Sequence, residues 1–344
     1  TGLRCKDRAA RDALVAETLA EGPLAADALA HAVRLCLDEA RQQLVAGSLR
    51  RQVDKLAEAR AELDEARRHA KELIFDEVRY FYPYKPPAVS ADRHAEYVRV
   101  QAEVDRRVAA VRELWRGSRV KVRVPARLGD DLEQIDWLAR QLSLLGGSAA
   151  GDVGAGASAA AHDGLAWARA LPPGETVGLQ DHCATPAERA ERDTWRRVEA
   201  YNERIGKLLS AAQRELLAIT NDYRVMFGHR PLAAVETACA ASQGHADEMS
   251  RLGYFSHTSP TEGMRTPYDR MRQAGYMFGV SENIAQVGGA QAAHDAWCRS
   301  SGHHRNLLGA GHREMGIGAN GRYWVQNFGS GDVHQSHPAW SAGK

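Results

Sequence analysis

Three short stretches in the last third of the chain carry side chains suited to chemistry at neutral pH. They are Gly253-Tyr254-Phe255-Ser256-His257, Ser281-Glu282-Asn283-Ile284-Ala285 and Ser301-Gly302-His303-His304-Arg305-Asn306-Leu307-Leu308. Each sets a histidine or a carboxylate in a polar setting beside apolar anchors. Two imidazoles and a carboxylate suit two jobs. One is holding a divalent cation, where neutral imidazole is a good ligand for zinc and a carboxylate orients a ring or ligates directly. The other is proton transfer near neutral pH. His257 and His303 are too far apart in sequence to share a helix face, so only tertiary structure brings them together. The chain has 14 histidines, so residue types alone do not single these out.

The surrounding words do. Asn221-Asp222-Tyr223-Arg224 precedes Pro231-Leu232, then His245 and Met249, then Gly-Tyr-Phe-Ser-His-Thr. Glu-Asn-Ile-Ala, Trp297, Ser-Gly-His-His-Arg-Asn-Leu-Leu, Gly316-Ile317-Gly318 and Trp324-Val325-Gln326-Asn327-Phe328-Gly329 follow in order. This series resembles the CAP superfamily (the cysteine-rich secretory, antigen 5 and pathogenesis-related-1 proteins, or SCP domain), most closely its bacterial branch, over residues 211–331. The resemblance implies a three-layer α-β-α sandwich with a surface cleft holding two histidines and two acidic residues. His257, Glu282 and His303 fall on three of those positions. The fourth falls on Ser300, which removes one negative charge and weakens any cation site. Zinc or another divalent cation is the implied cofactor, with His257 and His303 as ligands and Glu282 orienting them. The resemblance also implies an extracytoplasmic module, secreted or of the cell envelope, binding a small ligand, a lipid or a partner protein. Catalysis is not a general property of the family.

Two other readings of the same residues stand beside this one. A hydrolase would use His257 or His303 as general base, Glu282 to orient it, and Ser256 or Ser300 as nucleophile or water-positioning group. Against it, Ser256 and His257 are sequence neighbours, which on a strand point to opposite faces. No Gly-x-Ser-x-Gly elbow or His-Glu-x-x-His pair is present. In the third reading the cleft is vestigial and the chain is a structural or assembly protein, forming homo-oligomers through its N-terminal helices. His245 is a further candidate to line the cleft, although a histidine one turn from Met249 on a helix commonly packs. Asn283 reads as structural, an amide that fixes loop backbone. His304 points away from any centre that His303 faces.

The elements that must position these residues belong to an α+β chain, a mostly helical N-terminal region followed by the sandwich. The expected divisions are a helical domain over 1–145, a Gly/Ala-rich linker with a short helix over 146–192, the CAP-like domain over 193–331, and a loosely ordered tail over 332–344. Residues 8–46 read as helix interrupted at Gly22-Pro23. Leu56, Ala59, Leu63, Ala66, Ala70 and Leu73 make one apolar stripe, and Tyr97, Val100, Val104, Val108, Val111 and Trp115 a second. Together they predict a helical hairpin across the aromatic connection Tyr80–Pro87, where prolines end the first helix. Val120–Val124 alternates as a short strand, and Leu132, Ile135, Leu138 and Leu142 mark another helix. Thr185-Pro186-Ala187-Glu188 is a helix start. From Asp193 to Met226 the pattern reads as one long helix with Trp195, Val198, Ile205, Leu208, Ala212, Leu216 and Ile219 inward. Residues 314–329 alternate as strands.

Composition bounds the rest. A net charge of +1 with 26% charged residues gives no overall pull toward nucleic acid or acidic membranes. No stretch approaches the ~20 apolar residues of a membrane span. Thr1-Gly2-Leu3-Arg4 lacks the apolar run of a signal peptide, and a chain starting at Thr reads as cut from a longer one. Cys5, Cys36, Cys183, Cys239 and Cys298 are scattered, with buried thiols expected, although a Cys239–Cys298 bridge is open. Asp181-His182-Cys183 has no second ligand pair nearby.

Overall fold

The computed structural model describes residues 2–5, 7–76, 91–146 and 164–341. The aromatic connection Tyr80–Pro87 and residues 147–161 of the Gly/Ala-rich stretch lie outside these. In chain order the helices are α1 (Arg8–Ala20), α2 (Pro23–Val45), α3 (Ser48–Phe75), α4 (Ala91–Gly117), α5 (Leu128–Leu144), α6 (Ala166–Arg169), α7 (Pro186–Ile205), α8 (Ala211–Met226), α9 (Glu236–Leu252), α10 (Pro267–Gln273), α11 (Ala290–Cys298), α12 (Ser301–Leu307) and α13 (Pro338–Ser341). The strands are β1 (Lys121–Arg123), β2 (Thr176–Gly178), β3 (Ala233–Ala234), β4 (Gly279–Gln286), β5 (Glu314–Asn320) and β6 (Tyr323–Gly329). The chain is α+β, a helical N-terminal region followed by the sandwich. None of the described helices is long and apolar enough to cross a membrane. Two compact units interleave in sequence, one of residues 1–61 and 118–192, the other of 62–117 and 193–344.

The first unit is built on α1, α2 and α5. Val15, Leu29, Val33, Leu37, Ile135, Leu138 and Leu142 form its core. Gly22 and Pro23 separate α1 from α2, proline taking the first helical turn, where a missing N–H costs nothing. The Val120–Val124 stretch forms β1, antiparallel to β2. The Asp181–Cys183 turn is held inwardly, with Arg60 Nη1 donating to the His182 carbonyl at 3.0 Å and the Cys183 thiol donating to the Asp181 carbonyl.

In the second unit the sheet order is β3-β5-β6-β4, with β3 parallel to β5 and the other pairs antiparallel. Side chains alternate across it. Met315, Ile317, Trp324 and Phe328 pack with Leu216 and Leu217 of α8 and Ala293 and Trp297 of α11. On the other face Ile284 and Val325 meet Ala246 and Met249 of α9. The result is the three-layer sandwich. The Gly316-Ile317-Gly318 word has a steric cause. A Cβ at Gly316 would sit 2.2 Å from the Ala238 carbonyl oxygen, and one at Gly318 2.2 Å from that of Ser242. Only glycine lets α9 lie this close to β5.

Of the two predicted stripes, Leu63, Ala70, Val104 and Val111 are buried in this unit. Arg107 Nη1 reaches the His69 carbonyl at 2.6 Å, and the Arg67 guanidinium lies over the Trp115 ring. Two expectations are corrected. The long 193–226 helix is two helices, because a 3₁₀ turn at Gly206–Leu208 ends α7 and Ser210 with Gln213 forms a capping box that starts α8. Leu208, in that turn, is exposed rather than inward. The described part of the tail is packed rather than loose. His334 is buried, and its Nδ1 pairs at 2.7 Å with Glu314, whose other oxygen accepts from Tyr276 at 2.7 Å. Trp340 closes over the His334 and Tyr201 rings. None of the five cysteines is in a disulfide, which removes the Cys239–Cys298 bridge.

Candidate functional site

The site forms where β4, α12 and the loop between α9 and α10 meet. Glu282 sits on β4 with only 1% of its side chain exposed. Arg270, equally buried, grips both carboxylate oxygens through Nη2 at 3.0 and 2.8 Å. Its Nη1 donates to the carbonyls of His257, Met264 and Arg265. One guanidinium therefore ties the 257–265 loop to β4. The helix that presents it begins with a Thr266/Asp269 capping box and Pro267 at its first position.

His257 completes the chain of contacts. Its Nδ1 donates to Glu282 Oε1 at 2.8 Å, while 46% of the side chain remains exposed. That bond fixes the ring and leaves Nε2 facing outward. His303, in the first turn of α12, lies across from it with ring centroids 6.1 Å apart. Burial and the neighbouring His257 push the His303 pKa down to about 4, so this imidazole is neutral at pH 7. The helix bearing it is pinned by amides. Asn283 Nδ2 donates to the His303 carbonyl at 3.2 Å, and Asn306 Nδ2 donates to Asn283 Oδ1 at 2.9 Å. Arg305 adds a donation to the Ile74 carbonyl at 3.0 Å. The structure thus brings His257, Glu282 and His303 together, with Asn283 in the structural role read for it.

The other candidates are placed differently. His245 is buried behind the site, its Nε2 donating to the Ser256 carbonyl at 3.0 Å, and burial lowers its pKa. It supports the turn before His257 rather than lining the cleft. Ser256 Oγ accepts the Thr258 N–H at 3.0 Å within its own turn. Ser300 caps α12 by position, with no side-chain capping bond. His304 turns into the core, where Tyr223 lies 2.7 Å from its Nε2, and burial and His294 hold its pKa at about 3. Sequence reasoning missed Arg270 and Glu248. Glu248 accepts from Ser259 at 3.0 Å, from Tyr254 at 2.5 Å and from Thr261. Burial acts upward on its carboxyl, but these hydroxyls outweigh it and hold the pKa at about 2. Among the described residues no group of three or more His, Cys, Asp or Glu side chains is placed to hold a metal ion.

A three-layer α-β-α sandwich that brings His257, Glu282 and His303 together is the class of domain that the fold and this site define. Residues 217–328 match the family described as CAP, the cysteine-rich secretory protein family, and the chain carries a bacterial CAP (SCP) domain. It is 32% identical over 126 residues to the uncharacterised protein YkwD of Bacillus subtilis, covering 35% of this chain and 48% of that protein. It is 32% identical over 130 residues to the uncharacterised membrane protein YlbC of the same organism, covering 37% of each. The chain therefore spans less than half the length of either relative. Among solved structures it is similar to an extracellular SCP-domain protein of Bacillus anthracis, at 31% identity and TM-score 0.34, covering 35% of this chain and 40% of that one. An outer surface protein of Borrelia burgdorferi aligns at 16% identity and TM-score 0.31, covering 35% of this chain and 92% of that one.

Proposed function

We propose that this is an extracytoplasmic binding module whose cleft engages its ligand through His257 and His303. The observation that carries the reading is the Arg270–Glu282–His257 chain. Both oxygens of Glu282 are taken up by Arg270, and one also holds His257 Nδ1. The carboxylate therefore orients a ring instead of reaching outward, as the second carboxylate partner of a metal-binding histidine does. What faces the cleft is a pair of imidazoles, and His303 is kept neutral by burial.

Neutral imidazole nitrogens fit zinc or another divalent cation. His257 and His303 would hold it as two protein ligands, with water or the bound partner supplying the rest, and a bound ion would polarise a ligand oxygen. Two ligands are fewer than the three of catalytic zinc sites, which favours weak, ligand-assisted binding over a structural ion. Hydrolysis is less well supported, because Ser256 Oγ is engaged in its own turn. The family's secretory description supports an extracytoplasmic location and a small-molecule, lipid or envelope-protein ligand.

Calorimetric zinc titration of the full chain, beside a His257→Ala/His303→Ala variant, tests the proposal. One-to-one binding that the variant loses is the expected result. Equal binding by the variant, or none by the wild type, would overturn the cation reading. The second outcome would move attention to assembly through the N-terminal helices.

A further inference from the structure

The last turn of α8 buries a cation with no anion beside it among the described residues. Arg224 is 0% exposed. Its Nε donates to the Arg230 carbonyl at 3.1 Å, and its Nη1 to the carbonyls of Leu307 at 2.7 Å and Gly309 at 3.2 Å. Its Nη2 is buried with no partner among the described residues. Burial and the nearby Arg230 bring the guanidinium down to about 9, so it is charged at neutral pH, and no described carboxylate acts on it. Buried polar groups in folded proteins are nearly always paired, and an exception points to a bound water or ion. A buried charge without a counter-charge is especially costly.

Arg67 and Lys71 add positive charge nearby. His229 donates its backbone N–H to the Arg224 carbonyl at 2.9 Å, and its ring Nε2 is also buried without a described partner. Burial first, then Lys71, Arg224, Arg67 and His312, bring that ring down to about 3, so it is neutral at pH 7 and would meet an anion through a ring N–H. The carbonyl oxygens at the end of α8 would repel an anion, but cations from α3 cover them. Arg67 donates to Met226 at 2.7 Å and to Val225 at 3.3 Å, and Lys71 donates to Phe227 at 3.3 Å. Asp64, a carboxylate acting on Lys71, is half exposed and already paired with Arg67.

We propose that Arg224 Nη2 and the His229 ring, framed by Arg67, Lys71 and His312, form a binding site for one small inorganic anion, a halide or a tetrahedral oxyanion such as phosphate. The site lies apart from the His257–His303 cleft and does not depend on the reading of it. An anion there supplies the missing counter-charge. It also secures the junction between α8 and the Leu307–Gly309 turn, which Arg224 already bridges.

Crystals of the full chain soaked in bromide test this without a variant. The expected result is an anomalous peak at hydrogen-bonding distance from Arg224 Nη2. An ordered water there, with no bromide, would overturn the proposal. Thermal melting at constant ionic strength gives the second measurement, with chloride or phosphate replacing gluconate. The wild type should gain several degrees in a saturable manner, and His229→Gln should lose most of that gain. An equal anion-dependent rise in a folded Arg224→Met protein would also refute the site.

Discussion

Replacing Glu282 by Gln keeps the shape of the site and removes its charge. Arg270 is then left with 1% side-chain exposure facing a neutral amide. Removing one partner of a buried ion pair costs about 3–5 kcal/mol, because the remaining charge stays desolvated. For a unit of ~200 residues this corresponds to a fall of roughly 6–20 °C in Tm. Differential scanning calorimetry reads it as a shift of the transition that includes the sandwich. The Glu282→Gln/Arg270→Met double variant sharpens the test. It removes both charges, although it also gives up the guanidinium's bonds to the carbonyls of His257, Met264 and Arg265. It should be more stable than the sum of the two single losses allows, by about 1–3 kcal/mol of coupling. Additive losses, or a Glu282→Gln protein melting within experimental error of the wild type, would refute the claim that the pair organises the cleft.

Other predictions follow from the same geometry. Gly316→Ala sets a methyl against α9 backbone that cannot yield, so it should cost about 3 kcal/mol or more by chemical denaturation. Ser210→Ala removes the cap that starts α8 and should cost about 1 kcal/mol in the same assay. Glu314 has a pKa held below 4.5, burial acting upward but outweighed by hydrogen bonds from His334 and Tyr276. Its contribution is therefore present above pH 4.5 and lost as pH falls through the folded-state value. Glu314→Gln should flatten the acid limb of a Tm–pH curve. His303 titrates near 4 in the folded chain against 6.5 for an unperturbed ring. It therefore stabilises above pH 6.5 and loses that contribution as pH falls through about 4, and its ring NMR signals should stay in the neutral form at pH 6.

The sandwich and the candidate site residues His257, Glu282 and His303 were legible through the family resemblance that the ordered words carry, since 14 histidines leave residue type alone undecided. Glu-Asn-Ile-Ala and Gly-Ile-Gly lie on β4 and β5 and Ser-Gly-His-His opens α12, and the two glycines answer a close backbone approach. Arg270 was not legible, since an arginine on a short polar helix reads as solvated surface, and only the tertiary fold aims it at Glu282. The break at Gly206 was signalled by Ser210-Ala211-Ala212-Gln213, a capping-box spacing, but apolar periodicity continuing through Leu216 masked it. The tail misled for the opposite reason. His334 and Trp340 lack any local pattern, and their packing comes from Glu314 and Tyr201, more than a hundred residues apart in the chain. The buried positions Leu63, Ala70, Val104 and Val111 were readable from the stripes, whereas the placement of residues 62–117 in one compact unit with 193–344 depends on long-range bonds such as Arg67 to Met226.

The most direct test of the cleft is an anomalous difference map from crystals of the full chain soaked in zinc. The account predicts a single ion between His257 Nε2 and the His303 ring, with the Arg270–Glu282 pair intact. Zinc bound to Glu282 with Arg270 displaced, or zinc only at sites away from both histidines, would contradict it.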